Sequence, residues 1–593
     1  MNRSILSRDS GREKNKSKSR DFNWRYLVLV LVIFPAFVGG LIFQMYRWQI
    51  IEHDRLSDLA RAQVVEESRL PTSRGTIYTA DGSVLAVDEP VWGVYASVSA
   101  EEQDRKQFEE NRDKFVNTLS EILDIDPDEM DEALVEGFRY VPLKHAVTNE
   151  VKKEIEQKAL FGIHFEKEEK RIYPDGRLAS HILGFVGKDE DGNDVGRYGL
   201  EGYYAGDLLG QEGFKYEEKD SKGNVIMTGE YDPVVPREGK NIVLTIVPSI
   251  QARVEKYLEE GVKEHKAKSG SAIVLDPKTG EIIAMANYPS YDPNFYWQED
   301  NPENFKNKAV SDVYEYGSVN KVLTLSMALE DERITPDTVC TDDTGYIKIY
   351  DKTLYTWDKL PDGDLKPRDV LKYSNNVCAI KIGLEVGIDR NYYYLQEFGI
   401  GEFVGIGLQD EATSYLKPLG YWTELDLASS SFGQMISATP LQIVSAVSTI
   451  ANDGTRMRPY LVKELYDDKE HIEIEPEVAS QPISVETARE VQSMMETVVK
   501  EGDGSLYFRQ TLSNYSIAGK TGTAQIPLED EYGYYEDRTN TTFVGFSPVH
   551  GAKMIMIVRL EEPQTSTYAA LTAVPVWVNI YKNIAMELGI APE

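Results

Sequence analysis

The sequence predicts a chain of mixed fold. One transmembrane helix leads into an α+β domain, and a larger α/β domain follows, built on an antiparallel sheet flanked by helices. Three observations carry this reading. An uncharged apolar run follows a basic tail at the start of the chain. Residues 47–240 alternate charged, helix-like stretches with short strands punctuated by glycine. Residues 241–593 pair β-like runs with long amphipathic helical segments. At 593 residues the chain is long enough for several domains. Its formal charge of −34 argues against nucleic acid as a partner, because phosphate binding needs basic patches.

Residues 1–25 are polar and basic, with Arg3, Arg8, Arg12, Lys14, Lys16, Lys18, Arg20 and Arg25, and read as a disordered cytoplasmic tail. From Tyr26 to Tyr46 there is no charge and the residues are mostly Leu, Val, Ile and Phe, a length that spans a bilayer. Trp24, Tyr26, Tyr46 and Trp48 sit where interfacial aromatics belong. The run is too long for a cleaved signal peptide, and no small-residue cleavage site follows it. The basic flank stays in the cytoplasm, so the bulk of the chain is expected outside it.

Within residues 47–240, His53 to Glu67 is expected as a charged helical stalk. Asp81-Gly82 is expected as a hairpin turn between two β-like runs. Glu101 to Gly137 reads as helix, interrupted at Asp124–Asp128 because Pro127 pushes its predecessor out of the helical region. Nothing in residues 47–240 resembles a nucleophile, a phosphate loop or a metal site, so a mechanical or binding role is expected.

Residues 241–593 carry the chemistry and are expected to hold a complete core. Asn241–Val247 reads as a strand and Pro248–His265 as a helix. Ser271–Asp276 and Glu281–Asn287 read as strands joined by the turn Pro277-Lys278-Thr279-Gly280. Gly317-Ser318-Val319-Asn320-Lys321 opens a helical run with apolar residues at 319, 322, 323, 325 and 329. Ser318 and Lys321, three apart, share a face at the end of the helix where backbone N–H groups are free. A neutral lysine there can deprotonate the serine, whose own N–H can help hold an oxyanion. About two Ser-x-x-Lys tetrapeptides are expected by chance in a chain this long. The second, Ser414–Lys417, is followed by Pro418, which disfavours helix.

Ser374-Asn375-Asn376 sits between helix-like segments. Gln434–Asp453 and Val485–Lys500 read as helices, and Lys520-Thr521-Gly522-Thr523 lies on a strand. Thr541–Phe546 and Lys553–Leu560 read as further strands, and Ala569–Leu588 as a closing helix. Cys340 and Cys378 allow a single bridge or two free thiols.

Ser-x-x-Lys, Ser-x-Asn and Lys-Thr-Gly in that order form the signature of serine β-lactamases and penicillin-binding proteins. The chain resembles the class B, monofunctional penicillin-binding proteins over most of residues 20–590. The resemblance includes Arg74-Gly75-Thr76-Ile77, Gly199-Leu200-Glu201, Tyr288-Pro289-Ser290-Tyr291-Asp292-Pro293-Asn294 and Ser431-Phe432-Gly433-Gln434. It looks closest to the cell-division branch. Three departures stand out. Thr79-Ala80 replaces a usual Asp-Arg, which puts a salt-bridge network of the N-terminal domain in doubt. Tyr316 replaces a usual proline, and Asn320 is an unusual filler in the first motif.

The resemblance implies a pedestal or dimerisation-type domain at 47–240 and a β-lactamase-like transpeptidase domain at 241–593. It implies a D-Ala-D-Ala transpeptidase that cross-links peptidoglycan stem peptides and is inhibited by β-lactams. The implied catalytic residues are Ser318, Lys321, Ser374, Asn376 and Lys520. Thr521, Gly522 and Thr523 would bind substrate, and the N–H groups of Ser318 and Thr523 would form the oxyanion hole. No metal or organic cofactor is implied. The implied partners are the membrane, a membrane glycosyltransferase and other cell-wall synthesis proteins. An elongation-type transpeptidase, a β-lactam sensor, a β-lactamase and a non-catalytic division scaffold remain the alternatives.

Overall fold

A computed structural model describes residues 24–53, 55–56, 65–70, 72–97, 102–134, 140–190, 192–218, 234–528 and 533–593. The chain forms two compact units, one of residues 1–70 with 213–235, the other of residues 71–212 with 236–593.

In the first unit the chain is helical from Trp24 to Ile51, with wider π-type turns at Leu29–Ile33 and Arg47–Ile51. Leu29–Ile51 is long and apolar enough to cross a membrane, five residues beyond the expected end at Tyr46. The basic tail up to Asn23 and most of the expected stalk lie outside the described residues. The end of that stalk is corrected: Val65–Leu70 is a strand, paired antiparallel with Gly213–Glu218. A partner about 150 residues away overrides the local helix preference of its glutamates.

The second unit is built on two sheets. The five-stranded antiparallel sheet runs in the order Ile282–Tyr288, Ser269–Leu275, Met554–Glu561, Tyr534–Ser547, Ala518–Pro527. Pro248–His265 and Ala573–Ile584 cover one face, burying Val254, Leu258, Trp577 and Tyr581. Pro440–Ala451 and Val485–Glu501 pack on the other side, with Asn320–Glu330 against them. Sheet strands buried on both faces read as continuous apolar runs, which is why Ile555–Val558 shows no alternation.

The expected helix Gln434–Asp453 begins only at Pro440. Thr439 caps it, Gln442 closes the reciprocal capping box, and Pro440 occupies the first turn. The preceding Ser437–Ala438 instead pairs with Tyr314–Glu315, the short strand that delivers the chain to Ser318. The closing helix is likewise shorter than expected: Ala569–Leu571 is a 3₁₀ turn and the α-helix starts at Ala573.

The other sheet joins the two expected domains. Asn241–Leu244 pairs parallel with Ile77–Tyr78 and antiparallel with Val462–Tyr466. Ile77–Tyr78 forms the expected hairpin with Val84–Ser97, turning through Gly82 at φ +85°. A boundary between 240 and 241 therefore runs through a sheet. Ile77, Leu85, Ile182 and Leu200 share one apolar core with Leu244, Ile273 and Leu325. A second core, around Val254, Leu258, Trp577 and Tyr581, lies wholly within residues 241–593, so the expected domain keeps one core of its own and shares the other. A four-residue strand has too little periodicity to announce its neighbours.

The salt-bridge network placed in doubt by Thr79-Ala80 is present. Arg74 Nε lies 2.5 Å from one oxygen of Glu201, and Arg171 Nε lies 2.6 Å from the other. Asp88 bonds Arg171 at 3.1 Å and accepts from the Arg74 backbone N–H at 2.7 Å. Thr79 turns inward, its hydroxyl donating to Asp81 within the hairpin. Glu201 is wholly buried, so its loss leaves the buried Arg74 guanidinium without a carboxylate and Arg171 with Asp88 alone. Glu201→Ala is expected to cost about 3–5 kcal/mol, read as a lower denaturant midpoint. A midpoint unchanged from wild type would show that the network carries no stability.

Candidate active site

Two segments converge on one amine, and a third brings a second lysine alongside. Gly317–Val319 is a single 3₁₀ turn that runs directly into the helix Asn320–Glu330, so Ser318 sits one turn ahead of Lys321. Ser318 is half-buried at the cleft surface, whereas Lys321 is fully buried. Lys321 Nζ lies 2.9 Å from Ser318 Oγ, 2.7 Å from Asn376 Oδ1 and 3.2 Å from Ser374 Oγ, and donates to the Ser374 carbonyl at 2.5 Å. Burial, reinforced by the nearby Lys520 cation, holds its pKa well below the ordinary lysine range.

Ser374 and Asn376 belong to the turn between the helices Pro367–Lys372 and Asn376–Val386. Ser374 has φ +55°, a left-handed conformation costly for a serine and held by its surroundings. Asn375 does much of the holding. Its Oδ1 caps the following helix by accepting from Cys378 N at 2.8 Å, and its Nδ2 donates to Asp343 and Asp362. Asn376 Nδ2 donates to the Tyr355 carbonyl at 2.8 Å, which leaves Oδ1 facing Lys321. Cys340 and Cys378 are joined in a disulfide, which settles the alternatives left open by the sequence.

Lys520 enters from the strand Ala518–Pro527. Its Nζ is 3.1 Å from Ser374 Oγ and 3.2 Å from Thr521 Oγ1, so Ser374 lies between the two amines. Burial lowers the Lys520 pKa to about 8. Gly522 has no side chain for a steric reason: a Cβ there would lie 2.5 Å from the Tyr316 carbonyl. Gly317, at φ +55°, approaches the Thr523 carbonyl just as closely. These contacts seat the nucleophile turn against the strand. Thr523 Oγ1 accepts from Ala569 N at 3.2 Å.

Two of the departures from the family pattern are partners of each other. The Tyr316 hydroxyl donates to Asn320 Oδ1 at 2.9 Å, and Asn320 Nδ2 donates to the Ser430 carbonyl. The decoy motifs are structural. Ser414 Oγ accepts from Gly401 N, and Lys417 is held by both oxygens of Asp426. Lys278-Thr279-Gly280 is the hairpin turn expected of it, with Gly280 at φ +86°.

A family model described as the penicillin binding protein transpeptidase domain matches residues 270–582, and one for the penicillin-binding protein dimerisation domain matches residues 69–244. The chain belongs to the class B penicillin-binding proteins. It is 30% identical to stage V sporulation protein D of Bacillus subtilis, over 92% of this chain and 83% of that one. It is 28% identical to peptidoglycan D,D-transpeptidase FtsI of Escherichia coli, over 98% of this chain and 95% of that one. Among solved structures, penicillin binding protein 2X from Streptococcus thermophilus superposes with a TM-score of 0.74 at 26% identity, covering 89% of this chain and 81% of that chain. Penicillin binding protein 3 of Mycobacterium tuberculosis, complexed with ampicillin, gives 0.66 at 25% identity, covering 89% and 98%.

Tyr316→Phe is the expected weak point of the nucleophile turn, because it leaves the buried Asn320 Oδ1 without its donor. The expected cost is about 1–3 kcal/mol. Thermal melts together with penicillin acylation rates check it. Wild-type values for both would show the bond to be dispensable.

Proposed function

We propose that this penicillin-binding protein is a peptidoglycan D,D-transpeptidase acting through a Ser318 acyl-enzyme, with a role in septal wall synthesis. The observation that carries the reading is the convergence of Ser318, Ser374 and Asn376 on the single buried amine of Lys321. Relatives named as FtsI and PenA D,D-transpeptidases support the activity and the septal role.

In this reading Lys321 is neutral, because burial disfavours its charged form. It takes the Ser318 proton as Oγ attacks the carbonyl of the penultimate D-alanine. The N–H groups of Ser318 and Thr523 receive the oxyanion. Lys520, Thr521 and Thr523 hold the terminal carboxylate, with Gly522 allowing close approach. Asn376 orients the donor's amide. Ser374, between the two amines, passes the proton to the departing D-alanine nitrogen as the peptide C–N bond breaks. An amine of a neighbouring strand then attacks the ester, loses its proton and releases Ser318, leaving a cross-link. The apolar helix would anchor the chain as a single span, with the basic tail in the cytoplasm and the catalytic part outside it. A membrane glycosyltransferase supplying uncross-linked strands would be the natural partner.

The nucleophile assignment is tested by labelling with a fluorescent penicillin. Ser318→Ala should abolish the label, and Ser414→Ala should keep it. The reverse pattern would overturn the reading. The pH profile of acylation gives a second test. Lys321 must be neutral, so the rate rises with pH through its depressed pKa. Lys520 must be cationic, so the rate falls as pH passes about 8. Lys520→Arg should push the falling limb upward, since arginine keeps its charge. A falling limb that stays in place would remove Lys520 as its source.

A further inference from the structure

A cavity of about 770 Å³ opens beside the Ser318 turn, lined by Lys268 and by residues of the segments 311–315, 415–417, 422–437, 525–527, 535–540 and 559–562. It contains none of the residues assigned to acyl transfer. It begins three residues before Ser318, at Glu315, and two beyond Thr523, at Gln525. Three residues span at most about 10 Å of chain, so Glu315 is close to the reacting serine.

The charges in this cavity are matched with one exception. Asp312 lies 2.8 Å from Arg559, Asp426 lies 2.9 Å from Lys417, and Glu561 lies 2.8 Å from Lys268. Glu562 lies within 3.8 Å of Arg538. Among the described residues Glu315 has no cation within 4 Å. One of its oxygens accepts from Met435 N and from the Tyr534 hydroxyl, each at 3.0 Å. The other is buried with no hydrogen-bond partner among the described residues. A carboxylate in this position is missing a positive charge and a donor, and an ammonium supplies both.

The site's own geometry indicates where such an ammonium comes from. Among the described residues Ala518–Pro527 is an edge strand, paired with Tyr534–Ser547. A donor whose carboxylate sits at Lys520 and Thr523 and whose scissile carbonyl sits at Ser318 has its upstream residues beside Gln525 to Pro527. Extended chain rises about 3.3 Å per residue. The residue just before the acyl D-alanine therefore lies at the cavity. In peptidoglycan stem peptides that residue is a diamino acid, whose side chain ends in an amine.

We propose that Glu315 binds the side-chain ammonium of the donor's diamino acid and so selects stem peptides in which that amine is free. The proposal rests on the transpeptidase reading given above. The ammonium reaches the carboxylate by displacing the Tyr534 hydroxyl, or by a rotation of the Glu315 side chain that turns its unpartnered oxygen into the cavity. Burial pushes the Glu315 carboxyl up to about 7. A cation alongside would hold it ionised at neutral pH. Glu315 thus acts on which peptide is accepted, whereas Ser318 and Lys321 act on the bond that breaks.

The experiment uses the full-length protein in detergent and three acylating probes. Two are synthetic pentapeptides ending in D-Ala-D-Ala with lysine as the third residue, one with its ε-amine free and one with it acetylated. The third is benzylpenicillin, which carries no amine. D-alanine release from the free-amine peptide should exceed that from the acetylated one by about tenfold in kcat/KM. Glu315→Gln is isosteric and keeps an acceptor for Met435 N and Tyr534. It should bring the two peptides within about twofold, with acylation by benzylpenicillin unchanged. The proposal is overturned if the wild-type protein treats both peptides alike, a result that does not depend on any variant folding. It is also overturned if Glu315→Gln keeps the preference, or loses benzylpenicillin acylation to the same degree as peptide acylation. If the wild-type protein reacts with neither peptide nor penicillin, the transpeptidase reading falls first and takes this proposal with it.

Discussion

The burial of Lys321 is the constraint on which the rest of the site depends. Burial disfavours the charged form of this amine, and its neighbours are hydroxyl, amide and carbonyl oxygens rather than carboxylates. The environment therefore favours the neutral amine, which is the form able to take a proton from a serine. The same contacts hold two distant loops together. Residue 318 comes from one segment and residues 374 and 376 from another, and one amine bonds to all three. Lys520 then adds a cation close enough to Lys321 to deepen the effect, while staying near Thr521 where a carboxylate would lie.

Seating that amine requires backbone to approach backbone. At Gly317, Gly522 and Gly433 a Cβ would fall within about 2.6 Å of a carbonyl oxygen of a neighbouring segment. The nucleophile turn is thus clamped between the strand Ala518–Pro527 and the loop at Gly433. Tyr316 and Asn320 fill the space beneath it and satisfy each other. Two residues that look like independent departures from a family pattern are one packing solution.

What the sequence made legible follows from the range of the interaction. Pro248–His265, the hairpin at Asp81-Gly82 and the turn at Gly280 depend on periodicity and on single turn residues, so they read correctly. The motif serines and lysines could be singled out because their order is itself information, and the structure brings them together. The supports of those motifs were not legible. Asn375 draws on Asp343 and Asp362, which lie 32 and 13 residues away, and Glu201 draws on Arg74 from 127 residues away. No spacing rule links such positions. The strand at Val65–Leu70 and the late start at Pro440 fail for the same reason, since in both cases a distant strand partner decided the local conformation.

The shared sheet changes how the N-terminal region relates to catalysis. Asn241–Leu244 stands between Ile77–Tyr78 on one side and Val462–Tyr466 on the other. Val462–Tyr466 follows the helix Pro440–Ala451, whose capped start is preceded by Ser437–Ala438. That short strand pairs with Tyr314–Glu315, and three residues later comes Ser318. Each step is a hydrogen-bonded ladder or a stretch of chain, the longest running through the helix Pro440–Ala451. Spatial continuity of this kind does not establish signalling, which needs an element with two stable arrangements. What it does establish is position. The Arg74–Glu201–Arg171 cluster lies among the strands at one end of this path, and the nucleophile turn is at the other. Residues 71–212 thus contribute strands to the sheet that joins them to the part of the chain bearing the cleft.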